Sequence, residues 1–224
     1  MKIIITGASG MVGKGVLLEC LDSPNVEQVL TVNRRTIDVE HPKHEQLIVK
    51  DFFDLEAVAA QMKGYDACFF CAGVSSVGMK EAEYTKLTYD LTTYFAKTFH
   101  AQNPNSVFTY VSGTGTDSSE KGRSMWARVK GKTENAILNM GFKDAYMFRP
   151  GYIQPMRGIR SKTNWYQYMY MIFKPIYALL KHFPSTATST VNMGKAMLYV
   201  LQNGNEQKIL HNKEINALAE NDHH

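Results

Sequence analysis

An α/β fold built on a doubly wound parallel sheet is predicted for this chain of 224 residues by two features of its sequence. Short apolar runs alternate with segments whose apolar residues recur at helical spacing, a pattern that calls for a parallel sheet covered on both faces. The first run, Lys2–Thr6, leads directly into Gly7-Ala8-Ser9-Gly10-Met11-Val12-Gly13, where the chain must turn sharply before a helix begins.

The elements follow in order. Lys2–Thr6 reads as the first strand and Met11–Asp22 as a helix, stopped at Ser23-Pro24-Asn25. Strands are expected at Gln28–Val32, Gln46–Val49, Ala67–Cys71, Ser106–Val111 and Ala145–Phe148. Helices are expected at Leu55–Met62, Glu81–Ala101 and Ser124–Met140, the last closed by Gly141. After Arg149-Pro150-Gly151 the pattern changes. Residues 164–183 are rich in aromatics and Met and are interrupted by Pro175, which breaks or kinks a helix. A helix at Val191–Leu201, stopped by Asn203-Gly204, a short strand at Lys208–Leu210 and a closing helix complete the chain.

Composition narrows the function classes. No apolar run has the ~18 residues of a membrane span, and no leader is expected, because one would need a longer apolar region and a cleavage site before the fold begins. Three cysteines, Cys20, Cys68 and Cys71, fit a reducing compartment, so a cytoplasmic place is expected. Cys68 and Cys71 sit in a strand, where residues three apart face opposite sides, so they read as buried structural thiols. His41 and His44 lie in a loop and no cluster has metal-ligand spacing, so no metal is expected. The net charge of +4 comes wholly from residues 145–205, which hold seven Lys or Arg and no acid. That favours an anionic ligand or surface there. The basic residues form no dense run and no nucleic-acid module is visible, which argues against nucleic acid as a partner.

The glycines carry the first functional statement. Gly7 permits the tight turn, Gly10 lets the backbone approach a pyrophosphate, and Gly13 lets the helix pack closely on the strand. The helix N-terminus then offers unpaired N–H groups to the phosphates. This makes the fold Rossmann-type, with residues 1–150 as a dinucleotide-binding core and residues 151–224 as a small substrate-side cap with a returning helix and strand in the same domain. A P-loop is excluded because no Gly-Lys-Ser/Thr follows at the right place. Where the second strand ends, an acid would bind a ribose 2′-hydroxyl. Asn33, Arg34 and Arg35 stand there instead, and arginine grips a 2′-phosphate. NADP(H) is therefore favoured over NAD(H).

From "TGASGMVG" through "KDFFD", "CAGVSS", "YVSGTGT", "WARVKGKTE" and "FRPGYI", the chain resembles the short-chain dehydrogenase/reductase superfamily in its atypical, extended-like branch, the epimerase/dehydratase or NmrA-like group. The resemblance implies further cofactor contacts: Ser9, Met11 and Val12 in the turn, Asp51 at the adenine with Phe52 beside it, and Ala72, Gly73 and Val74 after the fourth strand. It also implies that the loop of Arg149, Pro150, Gly151 and Tyr152 closes over the nicotinamide. The superfamily's chemistry uses Tyr-x-x-x-Lys on one helix face, with a Ser or Thr after the fifth strand that binds the substrate oxygen. Here Lys130 matches the lysine, which holds the nicotinamide ribose, and Ser112 matches the serine, with Thr114 nearby. Trp126 occupies the tyrosine position, and an indole N–H is no usable acid or base. Three readings stay open: another group (Tyr152, Ser112 or a water) moves the proton, the site binds cofactor without turnover, or the functional tyrosine lies elsewhere.

Binding clefts on such sheets lie beyond the carboxyl ends of the strands. Residues 157–184 are therefore expected to face a small-molecule substrate, with Trp165, Tyr166, Tyr168, Met169, Tyr170 and Phe173 divided between pocket and core, and Arg157 and Arg160 at the mouth. Monomer and homodimer both stay open.

Overall fold

The computed structural model of the chain describes residues 1–159 and 185–221. Its strands are β1 (Lys2–Thr6), β2 (Gln28–Asn33), β3 (His44–Ile48), β4 (Ala67–Phe70), β5 (Val107–Val111), β6 (Asp144–Arg149), β7 (Tyr152–Gln154), β8 (Ala187–Ser189) and β9 (Ile209–His211). Its helices are α1 (Met11–Asp22), α2 (Glu81–Thr85), α3 (Leu91–Gln102), α4 (Met125–Leu138), α5 (Thr190–Asn203) and α6 (Asn212–Glu220).

Among the described residues, seven strands form one parallel sheet in the order β3-β2-β1-β4-β5-β6-β9. The order reverses between β1 and β4. α1, which follows β1, lies on one face of the sheet and α3, which follows β4, on the other, so the connections leaving these two strands separate and leave a crevice.

The two faces of the sheet account for the apolar runs. Side chains alternate along a strand, so Ile3 and Ile5 face one layer and Ile4 the other. The first layer packs Val16, Leu17 and Cys20 of α1 with Met193 and Met197 of α5 and Ile215 of α6. The second packs Phe95 and Phe99 of α3 with Ile137 of α4 against Phe70 and Phe108. Burying each such side chain contributes roughly 1.5–3 kcal/mol. Cys68 lies in the second core and Cys71 packs on the first, both as free thiols. This is the opposite-face placement that their spacing requires.

The helices differ from the expected ones in two places. The segment expected as a helix at Leu55–Met62 is a 3₁₀ helix, Glu56–Met62. The long helix at 81–102 carries one π turn, Lys86–Asp90, between α2 and α3. A second sheet, not expected at all, pairs β7 with β8 in parallel, Tyr152 opposite Ala187 and Gln154 opposite Ser189. The expected cap residues 160–184, with Arg160, Trp165, Tyr166, Tyr168, Met169, Tyr170, Phe173 and Pro175, lie outside the described residues.

Candidate functional site

β1 ends in the glycine turn, and its geometry shows why glycine is needed. Gly7 has φ of +69°, which L side chains rarely adopt, and a Cβ there would stand 2.6 Å from the Ala72 backbone nitrogen. A Cβ on Gly13 would stand 2.6 Å from the Gly7 carbonyl carbon. The turn is closed by the Gly10 N–H donating to the Gly7 carbonyl at 2.8 Å. Gly10 is also the N-cap of α1, with no side chain bonding the first-turn amides. Ser9 and Gly10 are exposed, and Met11 and Val12 are half-buried. The turn delivers the chain to the N-terminus of a twelve-residue helix, whose positive end suits an anion.

Across the turn, β2 ends in Asn33. Its side chain is 5% exposed, and its Nδ2 has no hydrogen-bond partner. A buried donor without a partner costs about 1–3 kcal/mol, which a bound acceptor would offset. Arg34 and Arg35 are exposed, and among the described residues neither forms an ion pair. The residues present fit a nucleotide at this end: a turn only glycine can make at a helix N-terminus, an orphaned donor, and two cations beside it.

The other expected contacts divide. The exposed Asp51 carboxylate accepts the Phe53 N–H at 2.9 Å, which leaves its second oxygen open. Phe52 does not stand beside it in the cleft. Its ring is buried and stacks on Phe95 at 5.8 Å between centroids. Ala72 donates its N–H to Thr6 Oγ1 at 3.3 Å, a Cβ on Gly73 would meet open space, and Val74 is 38% exposed.

Beyond β4, a buried charge organises the site. Glu134 of α4 is fully buried, and its carboxylate receives the guanidinium of Arg149 at the end of β6 through Nε and Nη2. Nη2 also donates to Ser118 Oγ at 2.5 Å. The Ser112 hydroxyl donates to Glu134 Oε1 at 2.5 Å, with the Phe148 carbonyl at 3.2 Å. Its one proton is therefore directed inward, and Ser112 can offer a ligand only acceptor lone pairs. Thr114 is similarly held, its hydroxyl donating to the Arg149 carbonyl at 3.1 Å and its N–H to that of Pro150 at 2.9 Å. At Gly113 a Cβ would have room, but the residue carries no side chain to use it.

Trp126, Lys130 and Glu134 lie four apart on one stripe of α4. The ammonium of Lys130 donates to the Ser112 carbonyl. Burial lowers its pKa to about 8, and Glu134 pulls in the opposite direction. The Trp126 ring edge lies 3.3 Å from where a Cβ on Gly115 would be. Pro150 is buried, Gly151 exposed, and the half-buried Tyr152 donates its hydroxyl to Gln154 Oε1 at 2.8 Å. Arg157, expected at a pocket mouth, instead pairs with Glu19 at 3.0 Å and Asp22 at 2.8 Å on α1. Acid-free neighbours in sequence do not keep a cation free when a helix packed beside it carries carboxylates. Glu134 itself was not foreseen. Its signal was the i, i+4 spacing from Lys130, with a buried arginine needed to hold it.

The sequence pattern of the NAD-dependent epimerase/dehydratase family matches residues 3–122. The chain belongs to this family. Membership supports a nicotinamide dinucleotide as cofactor and an oxidoreductase-like α/β fold. "Protein FMP52, mitochondrial" of Candida albicans is 25% identical over 155 residues, 67% of this chain and 66% of that protein. The match thus spans just under two thirds of the relative's length. Uronate dehydrogenase from Agrobacterium tumefaciens superposes with a TM-score of 0.66 at 15% identity, covering 93% of this chain and 75% of that one. A short chain dehydrogenase from Burkholderia cenocepacia J2315, solved in complex with NADP, gives 0.64 at 13% identity, covering 98% and 90%. At those identities the likeness is one of fold. Among the described residues no helix is long and apolar enough to cross a membrane.

The environment of Lys130 gives a pH prediction. Its amine drops from 10.5 to about 8 on folding, so between those pH values the unfolded chain holds more protons than the folded one. Stability contributed by this group therefore rises with pH in that window and is flat below it. Lys130→Met is expected to remove the rise. Urea unfolding of both proteins at about pH 7.5 and about pH 9.5 should show the parent gaining on the variant at the higher pH. A gap equal at both values would contradict the burial assigned to the amine.

Proposed function

We propose that this chain is an NADP(H)-binding reductase or epimerase/dehydratase acting on a small carbonyl or sugar-type substrate, with Trp126 at the position of the usual tyrosine. The observation that carries the proposal is the pairing of a turn only glycine can make with the orphaned amide of Asn33 and the two unpaired arginines beside it. Gly7, Ser9, Gly10, Met11, Val12 and Gly13 would hold the pyrophosphate, Arg34 and Arg35 the 2′-phosphate, and Asn33 the ribose. Asp51, Ala72, Gly73 and Val74 would line the adenine side and the middle of the cofactor, with Phe52 behind them as core. Lys130, Pro150, Gly151 and Tyr152 would meet the nicotinamide half. The cofactor, when bound, supplies or accepts hydride. Lys130 would hold a ribose hydroxyl and keep positive charge near the reacting oxygen. Ser112, its proton held by Glu134, would accept a hydrogen bond from a substrate hydroxyl. Three free thiols fit a reducing compartment, and the cytoplasm is the one proposed.

One observation favours a second reading, a non-catalytic NADP(H)-binding regulator. The inward-turned Ser112 proton and the indole at Trp126 leave neither usual group able to pass a proton to a substrate.

Calorimetric titration tests the binding half. NADPH is expected to bind about 10-fold or more tightly than NADH, about 1.4 kcal/mol, with Arg34→Ala and Arg35→Ala together erasing the preference. Equal affinities in the parent protein would remove the arginines from the account. For the chemistry, NADPH oxidation should be followed with a panel of small aldehydes, ketones and aldoses, in the parent and in Trp126→Tyr. Parent activity that falls in the variant supports the enzyme and gives Trp126 a role of its own. An inactive parent whose variant gains ~10²-fold or more supports the regulator, as an idle catalytic frame.

A further inference from the structure

The loop that leaves β6 is gripped from two sides. On one side Arg149 is locked to Glu134 and Ser118, and the Pro150 carbonyl receives the Thr114 N–H. On the other side stands the C-terminal helix. Asn212, the first residue of α6, is 2% exposed. Its Oδ1 accepts the Gly151 N–H at 3.0 Å, and its Nδ2 donates to the Ser185 carbonyl at 3.4 Å. The approach is close: a Cβ on Gly151 would lie 2.9 Å from Asn212 Nδ2 and 3.2 Å from the Thr186 carbonyl. Side-chain amides rarely bury themselves without such partners.

One turn later, Asn216 does a different task. It accepts from Thr188 Oγ1 at 2.7 Å and from Asn192 Nδ2 at 2.9 Å, and donates to the Ala187 carbonyl at 2.9 Å. Asn216 thus ties α6 to β8 and α5, while Asn212 ties it to the exit of β6.

The place of that exit gives the contact its meaning. A dinucleotide lies across the switch point with one nucleotide on each half of the sheet. The glycine turn and Asn33 put the phosphates and the adenosine side at β1 and β2. The other half then falls over β4, β5 and β6, where Pro150–Tyr152 emerge. We infer that Asn212 is a positioning residue for the nicotinamide end of the cofactor, setting the Gly151 backbone over the cleft without itself touching the ligand. The inference rests on the NADP(H) reading and adds to it a residue some 60 positions away in sequence that the closing loop needs.

The test compares NADPH with adenosine 2′,5′-bisphosphate, which carries the adenosine side alone, by calorimetry with a parallel thermal melt. Asn212→Ala is expected to weaken NADPH about tenfold or more and to leave the bisphosphate within about twofold. Asn212→Asp keeps the acceptor for Gly151 but loses the donor to the Ser185 carbonyl, and is expected to bind NADPH more tightly than Asn212→Ala while melting below the parent. Asn216→Ala removes another buried amide of the same helix and is expected to lower Tm without changing the ratio of the two affinities. Asn212→Ala weakening both ligands alike, or neither, overturns the inference. A parent that binds neither ligand overturns the NADP(H) reading and this inference with it. A parent that binds both, with Asn212→Ala indistinguishable, overturns this inference alone.

Discussion

β1 must leave the sheet at the one place where the neighbouring strand's exit lies against it. The Ala72 backbone stands 2.6 Å from where a Gly7 Cβ would project, and the turn runs at φ +69°. Any side chain there would push β1 from β4 and open the sheet at its switch point. The same economy of space continues along α1. Gly13 lies on the turn, Gly15 meets Thr190 with 2.5 Å from a would-be Cβ to the threonine Cβ, and Gly194 of α5 meets Glu19. The helix can therefore bring its N-terminus to the crevice while burying its opposite face on α5. The fold at this turn and the anion site proposed on it depend on the same absence of side chains.

The far side of the cleft is organised by a charge rather than by space. A fully buried carboxylate is tolerated at Glu134 because Arg149 and Ser112 satisfy its oxygens. Removing one member of such a pair costs about 3–5 kcal/mol, since the other charge is left buried alone. This anchoring fixes β5, β6 and α4 relative to one another at their site ends. It also has a chemical consequence. The hydroxyl proton that a Ser112 side chain could lend to a substrate is held by the carboxylate. On the proposed reading, with the Ser112 proton turned inward and an indole at Trp126, a proton would have to reach the substrate from another group, Tyr152 or a water.

Much of this was legible in the sequence where one physical rule dominates. Continuous apolar runs marked β1, β2 and β4 to within a residue because both faces of a parallel sheet are covered. α1 was bounded by the glycine turn and by Ser23-Pro24, and its observed limits are those read from the pattern. Tertiary pairing was not legible. β7 and β8 are three residues each, Tyr152–Gln154 and Ala187–Ser189, and lack the alternation that would mark them. Phe52 follows Asp51 directly in sequence, but the chain turns at these residues, with the Asp54 N–H donating to the Asp51 carbonyl at 3.1 Å, and the Phe52 ring is sent into the core while Asp51 stays exposed. Glu134 carries no mark in the sequence beyond its spacing from Lys130, and only the sheet brings Arg149 to it. Asn212 and Asn216 looked like ordinary residues of a closing helix.

The proposed function stands or falls on whether the glycine turn and the end of β2 together receive a dinucleotide. Backbone amide NMR of the labelled protein, recorded as NADPH is added, tests it most directly. The account predicts that the largest shift changes fall on Gly7–Gly13 and on Asn33, Arg34 and Arg35, with a second group at Ala72–Val74 and Gly151. Saturable binding whose shifts leave the glycine turn and Asn33 unmoved, or no binding at all, would contradict it.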